Sequence, residues 1–136
     1  MIKILLSDYG HYQLSTKAYK LIAQELGKEC YFFDWDMCNI IPEENILKGY
    51  WHALSSKEFD VHENKFEILP DYSDDRSNPI LIKVVETLKQ EAFEANLKDI
   101  RIAEIPDGTD WFIDTNGETG YEWVAVRHAT WDGEKL

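Results

Sequence analysis

Arginine is nearly missing from this chain: Arg76, Arg101 and Arg127 are the only three among 136 residues. With 26 Asp and Glu against 14 Lys and Arg, the formal net charge is −12. Lengthwise binding of a nucleic-acid backbone relies on many cations displacing counterions, so this composition excludes it. A small anion can still be held locally, and an acidic surface suits a basic protein partner, mimicry of the DNA backbone, or simple solubility. Cysteine is scarce too. Cys30 and Cys38 stand eight apart without a CxxC pair, and His11, His52, His62 and His128 are scattered without HExxH or zinc-finger spacing. Both thiols are therefore expected to be reduced and structural, with no metal site and no cofactor. Long apolar runs are missing: nothing approaches the ~20 residues of a spanning helix, and the opening Met1-Ile2-Lys3-Ile4-Leu5-Leu6-Ser7-Asp8 turns polar too early for a signal peptide. The expectation is a cytoplasmic protein with no membrane contact. What is present, 44% hydrophobic residues including 13% aromatics, is enough for one packed domain over residues 1–136.

Periodicity predicts an α/β (α+β) fold. Ile2 to Leu6 reads as a buried strand, and Ser7 to Leu14 as a loop. Ser15 then caps a helix with Ala18, Leu21, Ile22 and Leu26 on one face, which Gly27 ends. Cys30-Tyr31-Phe32-Phe33 resumes strand character, which predicts an N-terminal βαβ unit with two parallel strands. Ile46, Tyr50 and Ala53 have helical spacing within 43–53, and Phe66 to Leu69 reads as a short strand. Asn78 followed by Pro79 opens the main helix, with Leu81, Val84, Val85, Leu88, Ala92 and Ala95 on one face. Strands at 100–105, 111–113 and 121–128, separated by Pro106-Asp107-Gly108 and by Asn116-Gly117 with Gly120, predict a three-stranded antiparallel meander within a mixed sheet.

Three places have the chemistry of a site. A loop from a strand into a helix presents backbone N–H groups and the positive helix end to small anions and nucleotides; here it carries Tyr9, Gly10, His11, Tyr12 and Ser15. Two tyrosines and a histidine can stack on a base, Gly10 permits close approach, and the alternative is packing over the sheet edge. GxGxxG and GxxxxGK[ST] are both absent. At the second place, Arg76 and Asn78 put a guanidinium beside a helix N-terminus. This is either a clamp for phosphate or carboxylate, or a loop staple in which Arg76 pairs with Asp74, Asp75 or Glu122. The third is the tail, where Glu122 and His128 lie at the two ends of one strand face and Trp131 either closes the core or covers a pocket. An acid/base pair there needs a third group, and no GxSxG or cysteine–histidine motif supplies a nucleophile.

The run Arg76-x-Asn78-Pro79-x-Leu81-x-x-Val84-Val85-Glu86-x-Leu88, then Glu104-Ile105-Pro106-Asp107 with Trp111-x-Ile113, then Gly120-x-Glu122-x-Val124-x-x-x-His128-x-x-Trp131 resembles a group of small, uncharacterised bacteriophage proteins. Those proteins usually read Arg-x-Asp-Pro at the first motif, and many carry Gly-Gly-Phe-Gly-Leu-Ser before the first helix. This chain keeps Leu14-Ser15 and loses most of the glycines. The resemblance implies a phage-encoded accessory protein acting in a bacterial cytoplasm. By analogy with small phage proteins that blunt host immunity, the expected function is non-catalytic sequestration of a small nucleotide-like signal of host defence, by a monomer or across a homo-oligomer interface. The alternative is an acidic inhibitor that covers a basic surface on a host nuclease or other effector, using Trp35, Tyr50 and Trp51 as exposed aromatics. A hydrolase built on Glu122 and His128 is the third class weighed.

Overall fold

The computed structural model describes residues 1–7, 12–34, 39–46, 51–56, 67–94 and 100–127. The elements run β1 (Ile2–Leu6), α1 (Thr16–Leu26), β2 (Tyr31–Asp34), β3 (Trp51–Leu54), α2 (Pro79–Leu88), β4 (Arg101–Ile105), β5 (Trp111–Thr115) and β6 (Glu122–Val126), with 3-10 turns at Glu43–Asn45 and Lys89–Ala92. The architecture is α+β: two helices with the strand pairs β1–β4, β2–β3 and β5–β6.

Both helices begin where their sequences direct, and α1 ends at Gly27 as expected; α2 instead stops at Leu88, short of the face read through Ala92 and Ala95, because Lys89 takes φ 55° and the chain continues as a 3-10 turn, with Ala95 outside the described residues. Ser15 Oγ accepts the Ala18 N–H at 3.2 Å, which satisfies one of the donors stranded in the first turn of α1. At the other end Gly27 takes φ 69°, so that its N–H reaches Gln24 O and the Lys28 N–H reaches Ala23 O. That paired closure needs a left-handed residue, which glycine adopts without a Cβ clash. In α2, Pro79 occupies the first position and Asn78 Oδ1 accepts the Ile80 N–H at 2.9 Å.

Two apolar clusters share α1 between them. Ala18 and Ile22 pack with Leu5 of β1, with Tyr12 and Leu14, and with Leu81, Val84 and Val85 of α2. Ala23 turns to the other cluster, against Phe32 of β2, Trp51 and Ala53 of β3, and Leu69. Trp51 there meets the rings of Tyr19 and Phe32 edge-on at 5.5 and 5.4 Å. α1 thus ties the β2–β3 hairpin to the helical layer.

Strand pairing departs from the expected topology. No βαβ unit forms among the described residues: β1 pairs antiparallel with β4 (Ile2↔Ile105 to Leu6↔Arg101), and β2 pairs antiparallel with β3 (Tyr31↔Leu54 to Asp34↔Trp51). A short β-branched run fixes which residues are buried but not the direction of the neighbour, and the antiparallel ladder is the more stable per residue. Nor is there a three-stranded meander. The turn at Pro106–Thr109 forms, with the Thr109 N–H and hydroxyl both donating to Pro106 O, but β4 has β1 as its partner, and β5 pairs with β6 alone. Every described pair is antiparallel, so the sheet is not mixed. The helix read over 43–53 is a single 3-10 turn, and Trp51 and Ala53 belong to a strand. Trp51, expected on the surface, is buried, and Trp35 and Tyr50 lie outside the described residues. No helix among the described residues is long and apolar enough to cross a membrane.

Cys30 is a free thiol beside the second cluster; Cys38 lies outside the described residues. Burial pushes the Cys30 thiol up to about 11, with the cation of Lys20 opposing and the carboxylate of Glu43 reinforcing. Its folded pKa lies above the unfolded one, so the stability contributed by the neutral thiol is intact below the ordinary thiol range. That contribution is lost as pH rises through about 11. In a Cys38→Ser background, iodoacetamide alkylation of the folded protein should therefore show a midpoint near pH 11. A midpoint in the ordinary thiol range of about 8.5 would contradict the burial.

Candidate functional site

In an antiparallel pair, alternate residues turn both backbone groups toward the partner and the intervening ones turn both away. The Leu5 N–H donates to Arg76 O at 2.9 Å, which sets Lys3, Leu5 and Ser7 as the outward-facing series of β1 and its extension. A second strand would ordinarily complete such an edge. Here a loop arginine and a distant carboxylate do so. Arg76 Nη1 donates to Leu5 O at 3.0 Å, and the Ser7 N–H donates to Glu122 Oε1 at 2.6 Å. The two side chains close on each other, with Arg76 Nη1 3.3 Å from Glu122 Oε1. The Ser7 hydroxyl lies 3.5 Å from the same oxygen.

The pair is deeply placed, with Arg76 only 7% and Glu122 only 2% exposed. Removing two charges from water costs several kcal/mol per ion, so such a pair persists only where further hydrogen bonds complete it. Arg76 Nε donates to Ser73 O at 3.1 Å, and the guanidinium carbon lies 5.1 Å from the centroid of the Tyr12 ring. Tyr12 is itself fixed: its hydroxyl donates to Asp71 O at 2.7 Å, and its ring meets Phe93 edge-on at 5.8 Å. Burial holds the Tyr12 phenol far above its ordinary range, although Arg76 pulls the other way, so it acts as a neutral donor. Glu122 sits at the first position of β6, and its carbonyl accepts Arg101 Nη2 at 2.7 Å, while Arg101 lies over the Tyr121 ring at 4.2 Å.

All five of the described residues read from sequence as ligand-binding are thus engaged within the fold. Tyr12, Arg76 and Glu122 converge beyond the carboxyl end of β1, and Asn78 caps α2, with its amide nitrogen donating to Asp75 Oδ2 at 3.1 Å. Of the acids considered for Arg76, the partner formed is Glu122, the most distant in sequence. Ser15 sits apart from these. Its N–H donates to Ala92 O and its hydroxyl to Glu91 O, which fastens α1 to the turn after α2. The start of α1 already receives an anion of the chain's own: Glu43 accepts from Thr16 Oγ1 at 3.0 Å and from Lys20 Nζ at 2.8 Å. The hydrogen bond from Lys20 holds the Glu43 carboxyl below its usual range, against a smaller opposing effect of burial. Tyr9, Gly10, His11, His128 and Trp131 lie outside the described residues.

Two surface grooves flank this region. One of about 610 Å³ runs between the start of β1 and α2, lined by Lys3, Ser77, Pro79, Ile82 and Lys83 among others. Another of about 330 Å³ lies between the end of α2 and β4. Neither is lined by Tyr12, Ser15, Arg76, Asn78 or Glu122. No group of three or more His, Cys, Asp or Glu placed to hold a metal ion occurs among the described residues. Sequence reasoning overlooked Ser7, whose backbone N–H is the shortest contact made by Glu122. It also overlooked the partial exposure of both faces of the β5–β6 hairpin. Alternation of apolar residues on both faces of 111–126, without a single fully polar face, was the signal available for the second.

No family model, curated protein or solved structure matches the chain.

Removing one member of a buried, hydrogen-bonded pair leaves the other as an uncompensated charge. Arg76→Ala should lower the unfolding free energy by about 3–5 kcal/mol in urea denaturation. A loss within the ±0.5 kcal/mol range of ordinary surface changes would show that the pair is solvated.

Proposed function

We propose that this protein works by binding another protein through an acidic, apolar surface rather than by turning over a substrate. The observation that carries the reading is the β5–β6 hairpin. A two-stranded ribbon needs cover on at least one face to be stable, yet here both faces carry apolar side chains that remain partly open. Trp111, Ile113, Val124 and Val126 share one face with Glu122; Phe112, Trp123 and Ala125 lie on the other. Tyr121, Trp123 and Val126 are 43%, 38% and 49% exposed, and in β5 every residue is at least partly exposed. Exposed aromatics within a field of −12 match the needs of a basic partner surface, where Trp and Tyr supply the anchors and complementary charge speeds encounter. Together with the resemblance to bacteriophage proteins, this supports an accessory protein that covers a basic surface of a defence effector or nuclease in a bacterial cytoplasm.

A second reading, sequestration of a nucleotide-like signal, is favoured by one observation: Tyr12, Arg76 and Glu122 do meet at the end of β1, where an aromatic ring lies against a cation. For that reading Arg76 must exchange its carboxylate partner for a ligand anion.

The two readings separate experimentally. The immobilised protein should retain a small set of basic proteins from bacterial lysate at low salt, release them as salt rises, and lose them in Trp123→Thr, which keeps a β-branched residue opposite Asp114 and a cooperative thermal unfolding. Isothermal titration with cyclic nucleotides and ADP-ribose derivatives should then give no heat. Tight binding of one of these nucleotides, with no protein retained at low salt, would overturn the protein-binding reading in favour of the trap.

A further inference from the structure

We infer that the outer edge of β5 accepts an extended, basic segment of a partner protein as an added strand. The inference rests on the protein-binding reading and assigns its mode. The Arg127 N–H donates to Asp110 O at 2.8 Å and the Asn116 N–H to Tyr121 O at 2.9 Å. In the β5–β6 register these bonds make the even-numbered positions the ones that face β6. Trp111, Ile113 and Thr115 therefore turn their N–H and C=O groups away from β6. The Thr115 N–H is taken by Asp114 Oδ1 at 2.8 Å. At Trp111 and Ile113 the outward groups meet no backbone partner among the described residues, and β6 is the only strand hydrogen-bonded to β5 there. No lysine, proline or bulge blunts β5, the usual protections of an edge strand.

Charge selects the occupant. Residues 106–121 carry Asp107, Asp110, Asp114 and Glu118 and not one Lys, Arg or His. Asp110 and Asp114 share the face of Phe112, while Trp111 and Ile113 share the other. A strand laid along this edge meets Asp110 and Asp114 flanking Phe112 on one face, where the solvent-exposed Arg127 pairs with Asp110 at 3.4 Å, and Trp111 with Ile113 on the other, so the complementary sequence alternates Lys or Arg with β-branched residues. A second copy of this chain, itself at −12, brings another acidic edge and is a poor occupant. In the symmetric register that pairs Trp111 with Ile113 of the other copy, Asp110 also stands opposite Asp114 on both sides of the contact, and directly opposed like charges destabilise a ladder.

The test uses the full chain, labelled with ¹⁵N, and a synthetic peptide of alternating lysine and valine, with a glutamate–valine peptide as control. The lysine peptide should bind and slow hydrogen exchange at the Trp111 and Ile113 amides, while the control should not. Ile113→Pro removes an outward N–H without touching the β5–β6 ladder and should weaken binding by about tenfold or more. Asp114→Lys spares the Asp110–Arg127 pair and the β5–β6 ladder and should shift the preference toward the glutamate peptide, so the inference stays testable if the proline variant fails to fold. Peptide binding with unprotected Trp111 and Ile113 amides, or binding indifferent to the charge reversal, would overturn the added strand and leave the protein-binding reading in place. Failure of the lysine peptide together with failure to retain any basic protein would overturn both.

Discussion

The Arg76–Glu122 pair completes an edge of β1 that no strand among the described residues covers. Antiparallel pairing with β4 satisfies one edge of β1; the Leu5 carbonyl and the Ser7 N–H face the other and are buried. A guanidinium and a carboxylate serve there as donor and acceptor in place of a third strand, and their mutual contact neutralises both charges. Three remote parts of the chain are joined by this arrangement: the strand that opens it, the loop before α2, and the first residue of β6. Tyr12 supports the guanidinium from the loop before α1, so the entry to each helix is registered against the same point.

This arrangement bears on function by redirecting where binding can occur. The arginine that sequence offers as an anion clamp is engaged with a carboxylate, the end of α1 is supplied by Glu43, and the end of α2 is supplied by Asn78. With that arginine and both helix starts engaged internally, the β5–β6 hairpin carries partly open apolar side chains on both faces. That hairpin is anchored at Glu122, buried at one end of β6, while the rest of the ribbon stands partly in solvent. The same glutamate that closes β1 thus holds the proposed binding element in place. Exposed ion pairs such as Lys3 with Glu86 or Lys17 with Glu91 contribute little by comparison, because water and salt screen them.

Local chemistry was well legible in the sequence. The Ser15 hydroxyl and the left-handed backbone of Gly27 bound α1, Asn78-Pro79 opens α2, and the strands read at 2–6, 100–105 and 111–113 form at 2–6, 101–105 and 111–115. Partners were not legible. A helix between two short apolar strands has the pattern of a parallel crossover, but the direction of pairing depends on which distant segment reaches each edge; β4 reached β1, and β3 reached β2. Trp51 and Ala53 illustrate a related ambiguity, since a two-residue spacing inside a short segment fits a strand as well as part of a helical face. For Arg76 the sequence leaves two roles open, clamp or staple, with three acids within its reach on paper. Burial decided for Glu122: a charge deep in the fold is stable only against a counter-charge at the same depth.

The most direct measurement is the unfolding free energy of the double variant Arg76→Met, Glu122→Leu. A buried ion pair that served only as a pair is replaceable by apolar residues of similar volume at little cost. If instead the pair completes the edge of β1, the double variant leaves the Leu5 carbonyl and the Ser7 N–H without those partners. It should then lose about 2 kcal/mol or more. A double variant as stable as the parent chain would contradict the account.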